Sequence, residues 1–222
     1  MISEKNSLQH HMFIETFLGQ TPKINQTAFI SKSAAIIGAV EIGKNCSVWH
    51  HTTIRGDANF IKIGEGTNIQ DNSVIHIDST KFPTIIGNHV TIGHSAIIHA
   101  CTLESHSFIG MGSIIMDGAI VNSFSMVAAG ALVTPGKKVP KGELWAGSPA
   151  KKMRNLTDEE FEMIEISAIR YIEVGKAARL GESAGRFLIF PLSQLLVKIK
   201  NILLSWYYSF FHAENPNPPA IK

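Results

Sequence analysis

The chain of 222 residues has few cysteines and no excess of either charge. Cys46 and Cys101 are too few and too far apart for a disulfide framework or a four-cysteine zinc site, so we expect a reducing, cytoplasmic compartment. Lys and Arg number 20 against 18 Asp and Glu, which argues against nucleic acid as a partner. Residues 1–20 also lack the continuous apolar run of a secretory signal.

The main pattern that is present is an aliphatic residue at every sixth position. A period of six fits neither an α-helix nor an alternating β-strand. It predicts a mainly β protein, a parallel β-helix over residues 20–150, in which six residues form one short strand with a corner and three such units form one coil. The aliphatic positions are Ile24, Ile30, Ile36, Ile42, Val48, Ile54, Ile63, Ile69, Ile75, Ile86, Ile92, Ile98, Leu103, Ile109, Ile115, Val121, Val127 and Val133.

A different pattern follows the repeat. Thr157 and Glu160 have the spacing of a capping box, and Gly181 can end a helix in the left-handed conformation. The sequence therefore predicts a helix over residues 157–180, within a C-terminal unit at 151–182 that packs on the β-helix.

Residues 1–19 and 183–222 are predicted to be extensions outside these two units. Seven of the 18 aromatic residues fall in the amphipathic range 187–211. Lys198 and Lys200 lie near the middle of this range, which argues against a helix that spans a bilayer. The range could make peripheral contact with a membrane surface, or pack within the protein's own assembly, and the sequence leaves both open.

The coil register predicts that two histidines stack. Counting three units per coil places Arg55, His76 and His99 at the same position of successive coils, provided that the insertions at 59–62 and 78–83 are loops. Adjacent strands lie about 4.8 Å apart, so two imidazoles stacked in this way could share one metal ion.

His94 falls on a different face of the prism and cannot easily reach that pair within one chain. A neighbouring copy in a homotrimer could supply it. Three imidazoles with one open coordination position are typical of a catalytic zinc site.

Several motifs resemble one family. RGD at 55–57, NIQD at 68–71 and the three histidines lie in segments 47–76, 90–103, 109–121 and 144–157, which are similar to the gamma-class carbonic anhydrases. The resemblance extends over about residues 20–180. It implies a left-handed β-helix of hexapeptide repeats that assembles as a homotrimer.

The resemblance also implies site residues and a reaction. The metal ligands would be His76, His94 and His99, holding zinc, with iron or cobalt as alternatives. The activity would be the reversible hydration of carbon dioxide to bicarbonate by a metal-bound hydroxide. The surrounding polar and catalytic positions would be Arg55, Asp57, Gln70, Asp71 and Tyr171.

Three points remain open at the level of sequence. Active members of the family are known for an acidic loop with a glutamate proton shuttle, whereas the loop here, IDSTKFPTII, contains only Asp78. Arg55 and Asp71 could either act on the substrate or form a structural ion pair between subunits. The alternatives to carbonic anhydrase are a metal-dependent acyl-CoA thioesterase and a non-catalytic metal-binding trimeric scaffold.

Overall fold

A computed structural model describes residues 13–181, which form a parallel β-helix followed by one α-helix, α1 (Asp158–Leu180). The predicted fold class is confirmed. The strands are β1 (Phe13–Glu15), β2 (Lys23–Ile24), β3 (Phe29–Ile30), β4 (Ala35–Ile42), β5 (Ser47–Val48), β6 (Thr53–Ile63), β7 (Asn68–Ile69), β8 (Val74–His76), β9 (Thr84–Ile86), β10 (Thr91–Ile92), β11 (Ile97–His99), β12 (Thr102–Leu103), β13 (Phe108–Ile109), β14 (Ile114–Ile115), β15 (Ile120–Val121), β16 (Met126–Val127), β17 (Leu132–Val133), β18 (Lys138–Val139), β19 (Glu143–Gly147) and β20 (Ala150–Asn155).

The strands stack into three faces. Face I consists of β1, β4, β6, β8, β11, β14 and β17, and face II of β2, β4, β6, β9, β12, β15 and β18. Strands β4 and β6 continue around a corner and therefore belong to both faces. Face III consists of β3, β5, β7, β10, β13, β16 and β19, and β20 closes it by pairing antiparallel with β19.

The repeated aliphatic side chains fill the interior of the prism. Ile54 pairs in register with Ile75, and Ile75 with Ile98, and all three are fully buried. This register confirms the predicted count of three units per coil. The insertion at 78–83 is a loop as predicted, whereas residues 59–62 lie within β6, so the prediction of a loop there is wrong. Gly38 allows β4 to turn its corner because it adopts a φ of +75°, and a Cβ added there would collide with the carbonyl oxygen of Gly56.

Helix α1 packs on the outside of face III. Thr157 caps its first turn through a capping box with Glu160, and Gly181 ends it with a φ of 68°, as the sequence predicts. Ile164 is buried in a second apolar cluster, and Gly175 brings the helix close enough that an added Cβ would lie 3.0 Å from Cβ of Ser47. No helix within residues 13–181 has the length and apolarity to span a bilayer.

The structure covers the predicted β-helix, the predicted helical unit through residue 181 and part of the predicted N-terminal extension. Strand β1 pairs with β4, so strand pairing extends into the range 1–19. Residues 1–12 and 182–222 lie outside the described part of the chain, and so does the whole aromatic-rich range 187–211.

The interior column makes a direct prediction about stability. The substitution Ile109→Ala removes a side chain that is fully buried, and we expect it to lower the free energy of unfolding by about 2–5 kcal/mol. Ile169→Ala is the matched control, because Ile169 on α1 is 59% exposed, and we expect a change within about 0.5 kcal/mol. Urea unfolding followed by circular dichroism measures both. Equal losses for the two variants would contradict a stacked aliphatic core.

Candidate metal centre

Two histidines meet where the strands of face I end. His76 closes β8 and His99 closes β11, and the two residues pair in register across adjacent coils. Nδ1 of His76 lies 3.2 Å from Nε2 of His99, and the ring centroids are 5.2 Å apart. We call this corner, with Arg55, Asp57 and the two histidines, the exit edge of face I.

The two facing nitrogens suit a shared metal ion. Two nitrogen ligands at 2.0–2.1 Å from a tetrahedral zinc ion lie about 3.3 Å apart, close to the separation of 3.2 Å between His76 and His99. Burial lowers the pKa of His76, and the positive charges of Arg55 and His99 lower it further. His76 is therefore neutral at pH 7, which is the form of imidazole that binds metals.

Each histidine of the exit edge also contacts an aspartate. Nε2 of His76 lies 3.2 Å from Oδ1 of Asp57, whose other carboxylate oxygen accepts a hydrogen bond from Arg55. Nδ1 of His99 lies within hydrogen-bonding distance of Oδ1 of Asp117. Sequence reasoning did not find Asp117. The one signal is its place in the next coil: Asp117 follows Ile115 by two residues, and Ile115 pairs in register with Ile98, which directly precedes His99.

His94 lies at the opposite side of face I. It occupies the turn between β10 and β11, on a corner that we call the entry edge of face I together with His50 and Asp71. Nδ1 of His94 lies 2.8 Å from Oδ2 of Asp71, and His50 contacts the other oxygen of that carboxylate.

The electrostatics of the entry edge favour a charged aspartate. Burial raises the pKa of Asp71, but hydrogen bonds from the backbone N–H groups of Asp71 and His50, with the charge of His94, outweigh it. The pKa therefore lies below its usual range, and Asp71 is ionised at pH 7.

The remaining predicted residues also lie on the side of the entry edge. Gln70 is buried, and its amide Nε2 donates a hydrogen bond to Oδ1 of Asn68 at 3.2 Å. Tyr171 on α1 presents its ring edge-on to Trp49, with centroids 5.9 Å apart. Burial raises the pKa of Tyr171, so its phenol is protonated at pH 7 and can donate a hydrogen bond.

The predicted site is therefore divided between two edges of one face. Within residues 13–181, no group of three or more His, Cys, Asp or Glu side chains is arranged to hold a metal ion. A site with all three histidines requires the exit edge of one copy and the entry edge of another. The exit edge carries Arg55, Asp57, His76 and His99, and the entry side carries Gln70, Asp71, His94 and Tyr171.

The surface between the two edges is apolar. Val74 and Ile97 point outward from face I, are 40% and 39% exposed, and lie in register with each other. Ile114 and Leu132 continue the same column on the following coils. A contiguous apolar strip flanked by polar edges is typical of a surface that contacts another subunit.

The cysteines do not contribute ligands to this centre. Cys46 and Cys101 are free and buried in the interior of the prism. Burial raises the pKa of Cys46 to about 11 and also raises that of Cys101, so both thiols remain protonated at pH 7. Metal ions bind the thiolate, which this interior disfavours.

The buried thiols lead to a second prediction. Because burial raises the pKa of each thiol above ambient pH, we expect Cys46 and Cys101 to react slowly with a disulfide reagent at pH 8 and rapidly after unfolding. Lys32→Cys places a thiol at an exposed corner and is the control, with rapid reaction in the folded state. Rapid labelling of the native cysteines in folded protein would contradict the closed core.

Comparison with known proteins identifies the relatives of this chain. No family model matches it. It is 39% identical over 223 aligned positions to Gamma carbonic anhydrase 1, mitochondrial, of Arabidopsis thaliana, covering 98% of this chain and 81% of that protein. It is 42% identical over 153 residues to a probable carbonic anhydrase of Methanocaldococcus jannaschii, covering 69% of this chain and 96% of that protein.

A solved structure shows the same fold. The hexapeptide transferase family protein of Anaplasma phagocytophilum matches with a TM-score of 0.72 and 51% identity, over 75% of this chain and 98% of that one. The parallel β-helix described above is thus the left-handed β-helix of the hexapeptide-repeat proteins. From its sequence identity to the plant and archaeal proteins, this chain belongs to the gamma carbonic anhydrase family.

Proposed function

We propose that this protein is a metal-dependent carbonic anhydrase that interconverts carbon dioxide and bicarbonate at the interfaces of a homotrimer. One observation carries the proposal. His76 and His99 present nitrogens 3.2 Å apart at the exit edge of face I, while His94 lies at the entry edge of the same face. The family relationship supplies the reaction.

The trimer follows from the positions of the edges. A contact between the exit edge of one copy and the entry edge of the next joins two different surfaces, and such a contact closes into a ring when the rotation fits. Three copies with face I turned toward a common axis would cover the apolar strip at Val74 and Ile97. Each of the three interfaces would then contain His76 and His99 of one copy and His94 of its neighbour.

The residues of the site have separate roles in the proposed reaction. A divalent ion at this site, zinc or alternatively iron or cobalt, would supply the Lewis acidity that generates a nucleophile from water at neutral pH. The three histidines would hold it, while Asp57 and Asp71 fix the orientation of two of the imidazoles.

Arg55 is the residue of the exit edge that can bind the anionic product. Arg55 is 45% exposed beside Asp57, and only one of its guanidinium nitrogens makes that contact. Its other N–H groups can attract and orient bicarbonate. Across the interface, Gln70 and the protonated phenol of Tyr171 would complete the polar wall of the site.

Proton removal has no evident carrier at the exit edge. Asp78 is the acidic residue of the loop after His76, and its carboxylate accepts hydrogen bonds from the backbone N–H groups of Lys81 and Thr80. These hydrogen bonds lower the pKa of Asp78, so it is a weak base at pH 7. The proton that the reaction releases would therefore leave to the buffer.

We also propose a cytoplasmic compartment and peripheral contact of residues 187–211 with a membrane surface. The buried free thiols agree with a reducing, cytoplasmic compartment, whereas the name of the Arabidopsis relative places that protein in mitochondria.

Peripheral membrane contact through residues 187–211 can be tested by deleting residues from 186 onward and measuring sedimentation with liposomes. The expected result is loss of liposome binding with no change in metal content.

The shared site predicts complementation between two inactive variants. His94→Ala lacks the entry ligand and His99→Ala lacks an exit ligand, so each homotrimer should bind little metal. An equimolar mixture of the two variants, refolded together, should recover about one quarter of the wild-type metal content, because random assembly places an intact exit edge against an intact entry edge at about one interface in four. Elemental analysis of co-refolded protein measures this recovery against the wild type, which should hold about one ion per chain.

The control for this experiment is His51→Asn. His51 lies exposed at a corner with a φ of 58°, which asparagine tolerates, and this variant should bind metal as the wild type does. Mixed trimers with no more metal than the two parents would contradict a site shared between subunits. Metal-free wild-type protein after reconstitution with zinc, iron and cobalt would contradict the proposed function itself.

The missing proton carrier predicts a dependence on buffer. In stopped-flow hydration of carbon dioxide, kcat should rise several-fold as imidazole buffer is increased, while kcat/KM should stay constant, since the buffer acts after bicarbonate has formed. A kcat that is already high and independent of buffer would contradict this account.

The same preparation should be tested on acyl-CoA thioesters. Hydrolysis of thioesters without hydration of carbon dioxide indicates the thioesterase, and metal binding with neither activity indicates the scaffold.

A further inference from the structure

We propose that Asp117 is a positioning residue that fixes the proton on Nδ1 of His99 and thereby directs Nε2 of His99 toward the metal ion. The inference rests on the proposed metal site. Asp117 lies outside the RGD and NIQD motifs, and the role proposed for it does not involve contact with the substrate.

The geometry places Asp117 directly against His99. Asp117 lies in the turn after β14, one coil beyond β11, and its Oδ1 is hydrogen-bonded to Nδ1 of His99. The turn is held on both sides by coil-to-coil hydrogen bonds, from Gly118 N to Ala100 O and from Gly136 N to Asp117 O, each 2.8 Å long. The carboxylate therefore projects from a fixed corner of the prism.

The hydrogen bond selects one tautomer of His99. A carboxylate can only accept a hydrogen bond, so in a neutral ring Nδ1 must carry the hydrogen and Nε2 keeps its lone pair. Nε2 of His99 is the atom that faces Nδ1 of His76 at 3.2 Å. Without Asp117 the two tautomers of His99 would exchange, and the ring would lose the contact that holds its orientation.

Asp117 has fewer side-chain partners than the other two aspartates of the site. Asp57 is shared between His76 and Arg55, and Asp71 between His94 and His50. In the described part of the chain, the side chain of Asp117 forms its hydrogen bond with His99 alone. Its side chain is 37% exposed, and a pair this open to solvent adds little to stability. A loss of metal affinity without a loss of stability would thus report on positioning.

Two substitutions separate the hydrogen bond from the charge. Asp117→Ala removes both, and we expect the zinc affinity of the assembled protein to fall about 10–100-fold. Asp117→Asn keeps an oxygen acceptor for Nδ1–H and should lose less. Zinc affinity is measured by competition with a chelator, and the tautomer of His99 is read from the ring ¹⁵N shifts of histidine-labelled protein before zinc is added.

Glu104→Gln is the matched control. Glu104 lies at a corresponding corner on the neighbouring face, where its carboxylate accepts hydrogen bonds from the backbone N–H and the hydroxyl of Ser123. Within residues 13–181 its side chain forms no hydrogen bond or ion pair with a histidine, so Glu104→Gln should change neither the zinc affinity nor the His99 shifts. Thermal unfolding of all variants shows whether any loss of affinity comes from loss of the fold.

The outcomes distinguish this inference from the proposed function. If the wild type binds zinc and Asp117→Ala binds it equally well, or if the His99 tautomer is the same in both, the role of Asp117 is overturned. If the wild type binds no metal, the proposed function fails, and the ¹⁵N shifts of metal-free protein still decide whether Asp117 sets the tautomer. If Asp117→Ala does not fold, Asp117→Leu replaces it, because leucine keeps the approximate volume of aspartate and removes the acceptor, and unchanged zinc affinity and His99 shifts in that variant overturn the inference.

Discussion

The hydrogen-bonded register between successive coils determines where every side chain of the candidate site lies. Ile54, Ile75 and Ile98 occupy equivalent positions of three coils, so the residue after each one occurs at the same corner. A slip of one residue would exchange interior and exterior positions and place His76 or His99 in the aliphatic core. The side chains that fill the core thus also align the histidines of the proposed metal site, so the stability of the fold and the geometry of that site depend on the same register.

The pairing of each histidine with an aspartate is the second regular feature of the site. Imidazoles at a corner of a β-helix are open to solvent on one side and would otherwise be free to rotate. Asp57, Asp71 and Asp117 each contact one of the three histidines, and they do so from both edges of face I. An orienting carboxylate for every ligand is the arrangement expected where a metal ion must be bound in one geometry.

The division of the proposed site between two edges explains why a single chain does not bring its three histidines together. His94 precedes β11 and His99 ends it, so the two residues lie on opposite corners of face I, and within residues 13–181 no three potential ligands come together. The apolar strip between the edges, which includes Val74 and Ile97, supplies the surface through which another copy would bring the missing ligand. Assembly and metal binding are therefore expected to be coupled, because the ion would join the two copies it lies between.

The sequence by itself determined the parts of the structure that repeat or that involve neighbouring residues. The six-residue period fixed the coil, the coil predicted that His76 and His99 stack, and the spacing of Thr157 and Glu160 predicted the start of α1. These features depend on local backbone geometry and on interior side chains that recur at a constant interval, which is why one sequence is enough to find them.

Only the tertiary structure decided which polar side chains meet across coils. The contact between Asp117 and His99 joins residues whose separation of 18 is shared by many other pairs, and the direction of each side chain depends on the turn it projects from. Within a single coil, the structure also decided the partner of Gln70, whose amide donates to Asn68 two residues earlier instead of projecting freely from the motif. A repeat specifies positions along the prism, whereas the partners of a polar side chain depend on rotamers and on distances that the folded corners alone define.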